Sequence, residues 1–185
     1  MLVLLALLGA LAYYTHLESP AWERHVPLIE PAEPRIAAGL HPELADKRDT
    51  LVRLADQAGI DVLITDAFRS HEEQEAIYAQ GRTSPGNIVT RARGGESYHN
   101  YGLAIDFALR TSSGEVLWDL EYDGNGNGAS DWMEVVEMAK TLGFAWGGDW
   151  ERFPDYPHLQ MDFGYTLDQL QRGFLPPGHV TVIQE

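Results

Sequence analysis

Between residues 41 and 163 the apolar positions alternate between two periods, and the switches mark out elements. Pro42 opens a helix in which Leu51, Leu54, Ala55 and Ala58 recur at helical spacing, and Gly59 ends it. Val62 to Thr65 is a β-branched run that predicts a strand. Ser70 with Glu73 forms a capping-box pattern, starting a helix that runs to Gly81. Residues 82–97 read as a long glycine-containing loop, a length uncommon in a compact domain unless the loop has a function. Leu103 to Leu109 alternates as a strand, and Val116 to Tyr122 is strand-like. Trp132, Val135, Val136, Ala139 and Leu142 form the stripe of a further helix ended by Gly143, and Pro157 to Phe163 alternates again. Helices interleaved with short alternating strands predict an α+β domain, a small antiparallel sheet with helices packed on it.

The flanks read differently. Met1 to Tyr14 carries no charged side chain and is almost wholly apolar. A membrane-spanning helix needs about 20 apolar residues, so this shorter run suits a signal peptide with Ala10-Leu11-Ala12 as its cleavage site. The usual basic start is missing, and a short uncleaved anchor with Tyr13 and Tyr14 at the interface is the alternative. Either reading makes the remainder extracytoplasmic. Residues 15–40 read as a Pro-rich linker, 41–163 as the domain, and 164–185 as a short tail with one helical turn after Thr166.

Composition narrows the chemistry. The chain of 185 residues is 44% hydrophobic and 22% charged, as in ordinary globular proteins, and its formal net charge is −15. That sign repels nucleic acid and anionic membrane surfaces, so a membrane is expected to be touched only through the N-terminal segment. Cysteine is absent. Disulfides, thiolate catalysis and cysteine zinc fingers are excluded together, and any metal must be held by His, Asp, Glu or carbonyl oxygen.

Two strands concentrate that chemistry. Strand alternation puts Leu103, Ile105, Phe107 and Leu109 on one face, and Gly102, Ala104, Asp106 and Ala108 on the other. Asp106 is then a lone carboxylate among tiny side chains, expensive to bury without a cation. His99 stands at the entry of this strand. In the second strand His158, Gln160 and Asp162 share a face. Were the strands neighbours, His99, Asp106 and His158 would converge as three N/O ligands with an open position, the layout of a catalytic zinc site.

Ser97-Tyr98-His99-Asn100-Tyr101-Gly102-Leu103-Ala104-Ile105-Asp106 fits the pattern S-x-H-x-x-G-x-A-x-D, and Asp155-Tyr156-Pro157-His158 fits [DE]-x-x-H. Together they resemble the zinc D-alanyl-D-alanine carboxypeptidase superfamily. Tyr78 to Thr83, Pro85 to Thr90 and Trp146 to Trp150 are more similar to its branch of peptidoglycan L-alanyl-D-glutamate endopeptidases, which includes bacterial wall hydrolases and phage endolysins. The resemblance covers roughly residues 45–163. It implies zinc held by His99, Asp106 and His158 on the sheet, Asp155 as catalytic base, and Arg69 as the cation stabilising the transition state. It also implies peptidoglycan stem peptides as substrate, met at the cell wall; the chain itself is expected to be a monomer. Two alternatives have the same residues: a D,D-carboxypeptidase releasing terminal D-Ala, and a non-catalytic, metal-stabilised wall-binding module.

Further residues are candidates for supporting roles. Ser97 is placed to orient the site and Gln74, one turn into its helix, to contact substrate. Arg82, Arg91 and Arg93 cluster in the long loop of a very acidic chain and predict a positive rim for the carboxylates of the stem. Trp146, Trp150 and Phe153 are candidates to wall a cleft. Finally, Asp123 to Glu134 matches an EF-hand calcium loop, with Asp123, Asn125, Asn127, Ala129 (through its carbonyl), Asp131 and Glu134 in the ligand slots. Ser130 departs from the motif, as does the strand-like segment before it.

Overall fold

The computed structural model describes residues 35–183. The predicted export segment 1–14 and most of the predicted linker lie outside the described residues. Three helices fall where periodicity predicts them. Helix α1 (Pro42–Gln57) begins with proline where a missing N–H is harmless, and buries Leu44, Leu51 and Ala55. Helix α2 (His71–Ala79) carries the predicted capping box: Ser70 Oγ accepts from the Glu73 N–H, and the Glu73 carboxylate accepts from the Ser70 N–H. It ends at Ala79 rather than Gly81 because Gln80 turns to extended backbone. Helix α3 (Asp131–Thr141) is capped by Ser130 and buries Trp132, Val135, Val136 and Ala139.

The main sheet is built from β2 (Asp61–Asp66), β3 (Ala104–Arg110), β4 (Val116–Leu117), β5 (Ala145–Trp146) and β6 (His158–Gln160), in the antiparallel order β2-β3-β6-β5. Strand β4 pairs with the far end of β3. Ile105, Phe107 and Leu109 face α1 and α3 and share a core with Leu51, Trp132, Val135 and Leu159. Each such side chain, fully withdrawn from water, contributes roughly 1.5–3 kcal/mol. The opposite face of β3 carries Asp106.

Three predictions need correction. Leu103 lies before β3 and joins a second cluster with Tyr101, Tyr165, Leu170 and Phe174. The strand expected over Pro157 to Phe163 keeps only His158–Gln160, because Asp162 caps a turn by accepting from the Gly164 N–H at 2.8 Å. The flanks are also part of the fold. Strand β1 (Arg35–Ala37), within the supposed linker, pairs antiparallel with β7 (Thr181–Ile183), and α4 (Leu167–Gln171) packs Leu170 into the second cluster. Three-residue strands are too short for alternation to register.

Candidate metal centre

The two imidazoles and the carboxylate converge. His99 sits in a 3-10 turn (Tyr98–Tyr101) ahead of β3. Ser97 caps this turn, its Oγ accepting from the His99 N–H at 3.3 Å. Gly102 closes it at φ 61°, and a Cβ there would strike the Gly39 carbonyl oxygen at 1.9 Å, so only glycine lets the strand begin. Asp106 and His158 are directly paired across β3 and β6.

His99 Nε2 lies 3.2 Å from Asp106 Oδ1, His158 Nδ1 lies 3.3 Å from the same oxygen, and the two nitrogens are 3.2 Å apart. The outer ring nitrogens fix which inner atoms are bare. His99 Nδ1 donates to the Ala67 carbonyl at 2.6 Å, and His158 Nε2 donates to Gln160 Oε1 at 3.0 Å. Each neutral imidazole therefore turns a lone pair inward. Asp106 Oδ1, buried, has no hydrogen-bond donor of its own. Three acceptors facing one point without a donor are complete only with a cation. Ligands at about 2.0–2.1 Å around a tetrahedral ion stand about 3.3 Å apart, so the spacing fits zinc. Among the described residues this is the one group of three or more His, Asp or Glu gathered so tightly.

Electrostatics agree with tight coupling. Burial opposes charge on His99, but the adjoining Asp106 raises its pKa. Burial alone would raise the Asp106 carboxyl; contact with His158 and His99 reverses this and holds it well below the ordinary range. Asp155 sits on the rim, its backbone N–H bound to the Gly147 carbonyl at 3.0 Å. Burial and then the Asp106 charge push its carboxyl above the ordinary value, while His158, His99 and Arg69 pull the other way.

Arg69 is anchored twice. Its backbone N–H donates to the His99 carbonyl at 3.1 Å, and its guanidinium binds Asp66 through Nη2 and Gln74 Oε1 through Nη1 at 2.7 Å. Asp66 was not anticipated. It faces Asp106 because β2 carries a bulge between Ile64 and Asp66 that re-aims the strand. Asn100 was missed as well: its amide donates to the Arg69 and Ser70 carbonyls and its oxygen accepts from Gly95 and Ser97, locking the His99 turn to the Arg69 loop. Trp150 does wall the site, its ring centroid 5.2 Å from that of His158. Trp146 is buried instead, with its indole N–H on the Tyr156 carbonyl.

The supporting candidates divide. Gln74 is fully buried, and it joins Arg69 to the long loop by donating to the Ala92 carbonyl at 2.8 Å. It therefore positions Arg69 from within the fold rather than contacting substrate as predicted. Arg82 stacks on Tyr78 and donates to the Tyr78 and Thr90 carbonyls. Arg93 pairs with Glu75. Of the predicted rim, Arg91 is left, with its guanidinium 3.5 Å over the Phe153 ring.

In the 123–134 loop, Asp123 accepts from the Gly126, Asn127 and Gly128 N–H groups, and the Asn125 and Asn127 amides donate to Glu134. Asp131 accepts from the Gly124 N–H through one oxygen, while its other, buried, oxygen is unpartnered. Ala129 is exposed, its N–H on Asn127 Oδ1. Ser130 departs from the motif because it caps α3. The loop carboxylates do not gather as the triad does.

Residues 90–161 match the family of D-alanyl-D-alanine carboxypeptidases. The peptidoglycan L-alanyl-D-glutamate endopeptidase CwlK of Bacillus subtilis is 64% identical over 126 residues, covering 68% of this chain and 75% of that protein. An L-alanyl-D-glutamate peptidase of a Listeria phage is 34% identical over 124 residues, which is 66% of this chain but 38% of the phage protein. An L,D-carboxypeptidase of Streptococcus pneumoniae, DacB, superposes with a TM-score of 0.51 at 20% identity, covering 78% of this chain and 82% of that one; this likeness shows a shared fold.

Proposed function

The chain belongs to the D-alanyl-D-alanine carboxypeptidase family of peptidases, and we propose from that premise that it is a zinc peptidase hydrolysing peptidoglycan stems at the L-Ala–D-Glu bond. The single observation that carries the metal is the donor set: two inward lone pairs and one unpartnered carboxylate oxygen at tetrahedral spacing. The specificity follows the identity to the Bacillus subtilis endopeptidase, which spans most of both chains.

His99, Asp106 and His158 would hold the ion. When bound, zinc supplies Lewis acidity, which makes water nucleophilic at neutral pH and polarises a carbonyl. Asp155 takes the proton of the attacking water as the C–O bond forms. It returns that proton to the D-Glu nitrogen as the C–N bond breaks. A carboxyl lifted above its ordinary value, as here, is the better base for this exchange. Arg69, rigidly held by Asp66 and Gln74, faces the negative charge that grows on the carbonyl oxygen. Trp150 shields one side of the site from water.

The protein works outside the cytoplasm at the cell wall, carried there by residues 1–14, and as a monomer. A calcium ion in the 123–134 loop steadies α3. The supporting features are the apolar N-terminal run and the filled EF-hand slots.

Digestion of purified muropeptides, read by mass spectrometry, tests the function. The expected product carries a new N-terminal D-Glu, is lost with a zinc chelator, and falls by roughly 10²–10⁴-fold in Asp155→Asn. Release of terminal D-Ala instead would assign the site to a D,D-carboxypeptidase. Absence of any hydrolysis by the zinc-loaded protein would leave only a wall-binding role.

A further inference from the structure

We propose that Arg91 is the specificity-determining residue of this site, and that it reads the free carboxylate on the D-glutamate whose nitrogen is released. The inference rests on the L-Ala–D-Glu reading above. An endopeptidase substrate continues beyond its glutamate through one of that residue's two carboxyls. The other stays within a few bonds of the scissile nitrogen, either as a free acid or capped as an amide.

Four observations place Arg91 to read it. Among the described residues, Arg82 and Arg93 are engaged by carbonyls and by Glu75, whereas Arg91 makes neither an ion pair nor a side-chain hydrogen bond. Its one partner is the face of Phe153, 3.5 Å away. A stacked guanidinium keeps its N–H donors in the plane, clear of the ring and free for a bidentate carboxylate. The backbone on either side of Arg91 is tied to the reaction centre, since buried Gln74 reaches Thr90 Oγ1 and the Ala92 carbonyl while accepting from Arg69. Phe153 lies two residues before Asp155. It is 62% exposed and holds φ 58°, a left-handed conformation that side-chain-bearing residues rarely adopt. The large ring there stands in solvent under the guanidinium. Arg91 therefore links the segment that is tied to Arg69 through Gln74 with the segment that leads to Asp155.

An amide has the size of the acid but lacks its charge, and it offers N–H donors to a fork that holds only donors. A site built on Arg91 discriminates between them through an interaction the amide cannot make. The test uses two synthetic stem peptides identical except that the free glutamate carboxyl is acid in one and amide in the other. The zinc-loaded protein is expected to favour the acid by roughly 10- to 100-fold in kcat/KM. In Arg91→Ala that ratio collapses toward one, with the loss in KM. Arg91→Lys keeps part of it, and Phe153→Leu lowers it by loosening the stack. Equal cleavage of both stems by the unaltered protein overturns the proposal. So does an Arg91→Ala variant that weakens both stems equally, which would make Arg91 a strut of the loop. Cleavage of neither stem at the L-Ala–D-Glu bond is a separate result, and it removes the proposed function together with this inference.

Discussion

Gln160 accepts a hydrogen bond from His158 Nε2 at 3.0 Å, and the two side chains share one face of β6 two residues apart. That bond decides which imidazole nitrogen turns toward Asp106. Loss of such a partner typically weakens metal binding about 10- to 100-fold. Gln160→Ala is expected to show a loss of that size in competition with a chromophoric zinc chelator, with an unchanged circular dichroism spectrum. Unchanged affinity would mean that strand pairing alone orients His158.

Asp66 is expected to act through Arg69. It grips Nη2 while Gln74 accepts from Nη1, so the guanidinium has little rotational freedom. In Asp66→Ala one anchor is gone and the cation is free to drift from the developing charge. Misplacement of this kind lowers kcat by roughly 10- to 100-fold with a smaller change in KM. Steady-state kinetics with zinc content measured in parallel separate this from metal loss. A fall in bound zinc that accounts for the whole deficit would refute the positioning role.

The calcium ion proposed for the 123–134 loop can be tested directly. Glu134 now accepts from the Asn125 and Asn127 amides, the two side chains that must rotate to present oxygen to an ion. With three carboxylates in the motif, affinity in the range of extracellular modules is expected, about 10⁻⁴–10⁻³ M. Calorimetric titration of the chain should show one such event, lost in Glu134→Gln. Identical titrations of both proteins would reduce the loop to a glycine-asparagine turn that caps α3.

The triad was legible because each member carries chemistry visible without partners. Asp106 stands out among glycine and alanine on its strand face, and His99 and His158 sit at strand entries. What pairing adds is the register of Asp106 with His158. Asp66 was not legible, because its role depends on a bulge that slips β2 by one residue. The arginine cluster misled for a related reason. Arg93 and Arg82 are answered by Glu75, Tyr78 and loop carbonyls, and whether a charge has a partner is decided by tertiary structure. Strands β1 and β7 are each three residues long, below the length at which alternation is readable, and they find each other across nearly the whole described chain.

Two histidines flank that last pairing, and protonation of one of them, His179, should govern it. His179 Nε2 donates to the Tyr101 carbonyl at 2.5 Å, and His41 Nε2 donates to the Pro177 carbonyl at 2.9 Å. The rings meet edge to face at 5.1 Å, and Phe163 lies against His41 at 4.4 Å. Burial, and then the neighbouring His41, lower the His179 pKa below its ordinary 6.5, against hydrogen bonds to the Tyr101 and Val180 backbone that favour charge. A detached or unfolded segment recovers the ordinary value. Above 6.5 both states are neutral at His179 and the bond to Tyr101 contributes fully. Below it the detached state takes up a proton that the folded state resists, so stability falls as pH falls. Hydrogen exchange of the Ile36 and Val182 amides, corrected for intrinsic rates, should show protection declining from pH about 8 to about 5. His179→Gln keeps an N–H donor for Tyr101 but does not titrate, and it should flatten that slope. An equal slope in the variant would assign the acid sensitivity to some other group.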